Sequence, residues 1–139
     1  MPVILLVAAV AGYGLMVNRI ATINDRLVEQ RFPVGALAHL QETGLDESRI
    51  YNDFPWGGYL LWNEVTPFID GRTDMYGPEF LEETLDTLFL REGWEESLDE
   101  YDIESVVLTQ ESPLAALLGE LDGWSEVYRD TQAVIFVRS

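Results

Sequence analysis

The stretch Arg49-Ile-Tyr-Asn-Asp-Phe-Pro-Trp-Gly-Gly-Tyr-Leu-Leu-Trp62 and its follower Pro67-Phe-Ile-Asp-Gly-Arg-Thr-Asp-Met-Tyr-Gly77 decide the fold. Each begins as a short apolar segment and runs into a loop of glycine, aspartate and aromatic residues, the pattern of a strand leaving a sheet. Arg49–Tyr51 and Thr66–Asp70 are therefore expected as strands, with a helical turn from Pro55 between them. In α/β domains, loops at the carboxyl ends of strands carry the binding groups. That makes Asn52 and Asp53 after the first strand, and Asp70, Arg72 and Asp74 after the second, the candidate site. Trp56, Tyr59 and Tyr76 add flat faces suited to sugar rings or lipid headgroups.

Outward from this stretch the chain alternates helical and extended signals. Pro33 opens a short helix with Val34, Leu37 and Leu40 on one face, and Gly44 is placed to end it. His39 falls off that stripe and is expected at the surface. Pro78–Leu90 reads as an amphipathic helix with Phe80, Leu81, Leu85, Leu88 and Phe89 inward, and Gly93-Trp94 restarts a helix to about Tyr101. Ser105–Thr109 is β-branched and apolar, the clearest strand. Ser112 as N-cap with Pro113 at the first helical position starts another helix through Leu118. Trp124–Tyr128 and Ala133–Val137 flank Arg129-Asp-Thr-Gln132 as a closing β-hairpin. The fold class implied is a small three-layer α/β domain with a mixed sheet and a C-terminal β-hairpin.

The amino-terminal part differs. Residues 3 to 17 carry no charge, and the apolar run from Met1 spans roughly 25 Å as a helix, against a hydrocarbon core of about 30 Å. With no basic n-region and no clean cleavage site, an N-terminal transmembrane helix is expected rather than a cleaved signal. The chain then has two regions: 1–31, a transmembrane and juxtamembrane helix, and 32–139, a soluble α/β domain. Other transmembrane helices and membrane lipid would be partners of the first. The localisation expected is the cell membrane, single-pass, with the soluble domain extracytoplasmic.

Composition excludes several chemistries. Asp and Glu number 25 against 8 basic residues, a formal net charge of −17, and every basic residue is arginine. Such a chain repels phosphate backbones, so no nucleic-acid partner is expected. There is no cysteine, hence no disulfide, thiolate nucleophile or Cys-ligated metal, and a lone histidine rules out His-rich zinc sites. No Gly-rich phosphate loop accompanies Gly57-Gly58, and no Gly-x-Ser-x-Gly elbow is present.

Two readings of the aspartate loop stand side by side. Were the two strands adjacent, Asp53, Asp70 and Asp74 would approach one another beside Arg72, and their oxygens could hold a divalent cation. Arg72 could instead clamp a phosphate or a sugar carboxylate. In the simpler alternative Asp70 and Arg72 form a local salt bridge and the aromatics, Trp56 and Trp62 among them, are core. No resident cofactor and no catalytic residue is assigned.

The blocks Tyr51-Asn-Asp-x-x-Trp-Gly-Gly-Tyr-Leu-Leu-Trp62 and Asp70-Gly-Arg-Thr-Asp-Met-Tyr-Gly77 resemble the C-terminal extracytoplasmic domain of polytopic bacterial membrane glycosyltransferase-like proteins, of the dolichyl-phosphate-mannose–protein mannosyltransferase type. The order of Gly93-Trp94, Ser105–Leu108, Ser112–Leu114 and Ala133–Val137 extends the likeness over roughly 32–138. The resemblance implies sugar transfer from a polyprenyl-phosphate carrier by a full-length relative whose catalytic carboxylate lies in an earlier loop. This chain lacks that loop, so it is expected to be an accessory part, inactive alone, with a polyprenyl-phosphate sugar or glycan acceptor as partner. A stand-alone membrane-anchored ligand-binding or protein-interaction module is the alternative, and a small metal-dependent hydrolase on Asp53, Asp70 and Asp74 a third.

Overall fold

The computed structural model describes the backbone of residues 2–139 and the side chains from residue 10 onward. It divides into two compact units, Met1–Phe32 and Pro33–Ser139. The first is a single helix, α1 (Pro2–Arg31). Among the described residues no helix is long and apolar enough to cross a membrane, which overturns the expected transmembrane helix and the single-pass localisation built on it. Residues 1–9 of the expected apolar run lie outside the described side chains, and the described remainder of α1 carries charge in its later turns. From Val10 the next five turns take in Arg19, Asp25 and Arg26, and each charge inside hydrocarbon carries a penalty of about 2.5–3.5 kcal/mol.

The second unit holds helix α2 (Val34–Thr43), strand β1 (Ile50–Asn52), helices α3 (Gly57–Trp62), α4 (Thr73–Tyr76), α5 (Pro78–Leu88) and α6 (Trp94–Glu100), strand β2 (Ser105–Thr109), helix α7 (Pro113–Leu118), and strands β3 (Trp124–Arg129) and β4 (Ala133–Arg138). The sheet order is β1-β2-β4-β3. β1 and β2 are parallel, with Tyr51 opposite Val106, while β2–β4 and the β3–β4 hairpin are antiparallel. The mixed sheet and the hairpin are as the sequence predicts. A register irregularity between Glu126 and Tyr128 bulges β3, the outer strand of the hairpin.

Period-two alternation sorts the strands onto two faces. Tyr51, Val106, Leu108, Val134 and Phe136 join Leu98 of α6 and Leu114, Ala115 and Leu118 of α7 in one core, with Leu88 of α5 packed against it. The alternate residues Val107 and Ile135, equally buried, turn to the face where α2 packs on β4 and β3 through its buried Ala36, Leu37 and Leu40. Helices thus cover both faces. Gly44 ends α2 in the left-handed conformation (φ 75°), its N–H donating to the Leu40 carbonyl, the expected C-cap.

Four local expectations fail for identifiable reasons. Thr66–Asp70 is not a strand but an irregular segment, since Pro67 removes a ladder donor. Helix α5 is rotated: the buried positions are Thr84 and Thr87, while Leu85 and Phe89 are 41% and 53% exposed. Threonine can go inside because its hydroxyl is satisfied within the helix, Thr84 Oγ1 donating to the Phe80 carbonyl and Thr87 Oγ1 to that of Glu83. Trp62, expected in the core, is 86% exposed at the end of α3. Ser112 precedes α7 as expected, but its hydroxyl makes no capping bond and is buried without a partner.

The two orientations of the apolar residues make opposite forecasts. Phe136→Ala should cost about 3–5 kcal/mol in urea unfolding, whereas Leu85→Ala and Phe89→Ala should each stay within about 0.5 kcal/mol. A large loss at Leu85 would restore the face that sequence periodicity assigns.

Candidate functional site

Asn52, 1% exposed, ends β1, the edge strand beyond which no further strand pairs. Its amide does the pairing instead. Asn52 Oδ1 accepts from the backbone N–H of Phe68 (2.8 Å) and Ile69 (3.4 Å), and Nδ2 donates to the carbonyls of Ile69 (3.0 Å) and Asp53 (2.9 Å). One side chain therefore holds the Phe68–Ile69 backbone where the second strand was expected. Gly57 completes the join from α3. A Cβ there would lie 2.7 Å from Cα of Asp70 and closer still to the Ile69 carbonyl oxygen, so only glycine admits this approach. Gly58, its neighbour, faces open space.

The candidate residues are thus brought together by backbone while their side chains diverge. Asp53 is 8% exposed and points along the sheet: its N–H donates to the Val107 carbonyl (3.0 Å), and its Oδ2 accepts from the Thr109 N–H (3.3 Å) at the exit of β2. Burial pushes its pKa up from the ordinary carboxylate value, against the hydrogen bonds from Thr109 and Phe54, which pull it down. Asp70, 1% exposed, turns to Arg72: Nε donates to both carboxylate oxygens (3.0 Å each), Nη2 to Oδ2 (2.6 Å) and the Arg72 N–H to Oδ1 (2.8 Å). That fork lowers the Asp70 pKa to about 2 against the cost of its burial, with a further hydrogen bond from Tyr76. Tyr76 also stacks on Phe80 (5.3 Å), which with Phe68 and Tyr101 forms an aromatic cluster reaching Tyr51.

Trp56 is buried and Tyr59 half-buried, its phenol pKa raised by burial. Asp74 is exposed, next to the 73% exposed Met75. Of the two readings of the loop, the local salt bridge is the one observed for Asp70 and Arg72. Among the described residues no group of three or more His, Asp or Glu is placed to hold a metal ion, so the three aspartates do not converge. None of the cavities described for the α/β unit is lined by the eight candidate residues.

Sequence reasoning passed over a second cluster. The Tyr128 hydroxyl donates to Asp130 Oδ2 (2.6 Å), and Asp130 Oδ1 accepts from the N–H groups of Gln132 and Ala133 (2.7 and 2.8 Å), closing the hairpin turn. His39 is half-buried rather than solvated, its ring 5.0 Å from that of Tyr128. Gly35 lets α2 approach, because a Cβ there would run into the Tyr128 hydroxyl and the Asp130 carboxylate. Burial and Asp130 push the Tyr128 phenol up to about 12, so it remains a donor throughout the physiological range. The short spacing Tyr128-x-Asp130 was the only signal available.

Comparison with known proteins gives no match to a family model, to a curated protein or to a solved structure.

Two consequences can be measured. Gly57→Ala should destabilise by at least about 2 kcal/mol, since backbone must move, while Gly58→Ala should be neutral or gain up to about 1 kcal/mol. Equal urea midpoints for the two variants would contradict the Gly57 approach.

The two buried aspartates should also act oppositely on acid stability. Asp70 has a depressed folded pKa, so its contribution is present above the ordinary value of 3.8 and is lost as pH falls through about 2. Asp53 has a raised folded pKa, so its protonation favours the fold, and its stabilising share declines as pH rises through the folded value. Asp70→Asn should therefore lose about 1 kcal/mol at pH 7, allowing for the solvent exposure of Arg72, and flatten the stability profile between pH 4 and 2. Asp53→Asn should not lose stability at pH 7. Unfolding measured against pH, with both variants falling together, would refute the assignment.

Proposed function

We propose that the unit Pro33–Ser139 is a non-catalytic accessory domain of a polyprenyl-phosphate-sugar-dependent glycosyltransferase-like protein, acting on the acceptor side. The reading begins from the resemblance of the Tyr51–Trp62 and Asp70–Gly77 blocks. Its main structural support is that Asn52 and Gly57 join these two blocks into one rigid piece whose buried acids are already committed. Asp53 is bound to the β2 exit and Asp70 to Arg72, so neither is free to take or give a proton at a reacting atom. A general acid or base needs a group within hydrogen-bond reach of substrate and a pKa near the working pH. Asp70, at about 2, is the reverse.

The same bonds favour an acceptor over the phosphate carrier. The Arg72 guanidinium spends its Nε and Nη2 donors on Asp70, although it is half in solvent. What the block presents outward is the Gly71–Gly77 loop with Asp74 and Met75, and the exposed Trp62. Carboxylates and aromatic faces suit a neutral polyhydroxylated chain better than a phosphate.

Two assays check this. The purified chain, given a polyprenyl-phosphate sugar and an oligosaccharide acceptor, should transfer and hydrolyse nothing. In amide NMR a neutral oligosaccharide should shift Gly71–Gly77, and geranyl phosphate should leave that loop unmoved. Turnover by the chain alone would end the accessory reading, and a loop that answers only to geranyl phosphate would move the role to the carrier.

A further inference from the structure

The largest cavity described for the α/β unit lies at the sheet end away from Asp53, where β4 finishes and β3 begins. It measures about 430 Å3, inside the range of about 300–1,000 Å3 typical of small-molecule sites. One wall is α6, with Trp94, Glu95 and Asp99. The other is the turn Asp122-Gly123 entering β3, with Trp124. Arg138 forms the floor. Ser139 N–H donates to the Gly123 carbonyl (2.9 Å) and closes the strand ends together, so the walls belong to packed elements rather than to a loose loop.

The chemistry of the lining is one-sided. Arg138 is the only cation in the lining, and each of its three guanidinium nitrogens makes one hydrogen bond. Its guanidinium lies 4.9 Å over the Trp124 ring, Nη1 donates to Asp99 Oδ1 (2.6 Å), Nε to the Ile103 carbonyl (3.0 Å) and Nη2 to that of Leu98 (3.3 Å). The side-chain carboxylates of Glu95 and Asp122, by contrast, make no hydrogen bond or ion pair with any described residue. An anion would meet the carboxylates of Glu95, Asp99 and Asp122 against a single guanidinium that is already paired with Asp99. A bare metal ion fits poorly too, because no three carboxylates among the described residues converge. On Trp124 a sugar ring would compete with Arg138, which lies over that indole. The chain's own guanidinium already shows what this wall accepts: a flat cation against an indole, bonded at its edge to a carboxylate.

We propose that this cavity is a binding site for a small organic cation, a guanidinium or alkylammonium group such as a basic side chain carries. Trp94 supplies the apolar wall, and Glu95 and Asp122 the charge. The site is separate from the Gly71–Gly77 loop and stands or falls independently of the acceptor-side reading.

The test monitors the indole N–H resonances of Trp94 and Trp124 in the full chain during titration with butylguanidinium chloride, maltose or sodium phosphate at constant ionic strength. Butylguanidinium should give a saturable shift of both indoles, weakened by added salt, and the other two should give none. The double variant Glu95→Gln/Asp122→Asn, at two exposed positions, should keep the parent's urea midpoint and bind roughly tenfold more weakly, two exposed charge pairs being lost. Each single variant should fall between. Unchanged affinity in the single and double variants, saturation by maltose in place of butylguanidinium, or no saturable response would each overturn the proposal.

Discussion

The α/β unit depends on one side-chain amide standing in for a strand. A sheet edge leaves N–H and C=O groups that must find partners when buried. On β1 the natural partner would be a neighbouring strand through Thr66–Asp70, but Pro67 has no N–H to give and the segment is too irregular to form a ladder. Asn52 carries an acceptor and two donors on one planar amide, one donor more than a peptide unit, and it engages Phe68, Ile69 and Asp53 at once. With each such bond contributing about 1 kcal/mol and each orphaned buried partner costing about 1–3 kcal/mol, loss of this amide would be felt well beyond its own contacts. Gly57 and the Asp70–Arg72 fork both depend on the segment being where Asn52 holds it.

This also explains which parts of the fold were legible in the sequence. Ser105–Thr109, the hairpin, Gly44 and the proline-led helix starts rest on local rules, and the structure obeys them. The Thr66–Asp70 segment reads as a strand in the sequence and is unpaired and irregular in the structure, because a side chain replacing a ladder leaves no periodic trace. On α5 the periodicity assigns Phe80 and Leu88 inward, and both pack there, but it also assigns Leu85 and Phe89, which are exposed, because helical spacing admits Thr84 and Thr87 equally well. Only tertiary context decides between them, by giving the Thr84 carbonyl to the Tyr51 hydroxyl (2.8 Å). At the candidate site, sequence placed the right backbone together and the wrong side chains, since nothing in Asp53 or Asp70 tells which neighbour each will face.

Charge supplies the second constraint. Of the eight arginines, Arg49, Arg72, Arg91, Arg129 and Arg138 lie in the α/β unit, and each is in an ion pair, with Glu104, Asp70, Asp86, Glu126 and Asp99 respectively. Exposed pairs of this kind add little stability, with a median of about 0–1 kcal/mol. Their consequence is availability: the positive charge is used internally while most carboxylates remain facing solvent. A surface of that kind selects against anions and, where it is concave and aromatic, for cations.

That selection bears on where a ligand can sit. Open α/β sheets bind ligands at the carboxyl ends of parallel strands, in the crevice left where the connections diverge to either side. Here only β1 and β2 are parallel, and β4 returns antiparallel beside β2, so no such crevice opens. The would-be site is filled instead: Asp53 spans to Thr109, while the Tyr128–Asp130 turn closes against Gly35. At the amino end of β2, Arg138 and Ser139 finish β4 and α6 ends nearby at Glu100. The concave surfaces gather at that end, lined by Trp94, Trp124 and Arg138 in one case and by Arg49, Ile103 and Glu104 in another. Strand direction, rather than motif content, thus moves the accessible chemistry of this domain from the Asp53 end to the Arg138 end.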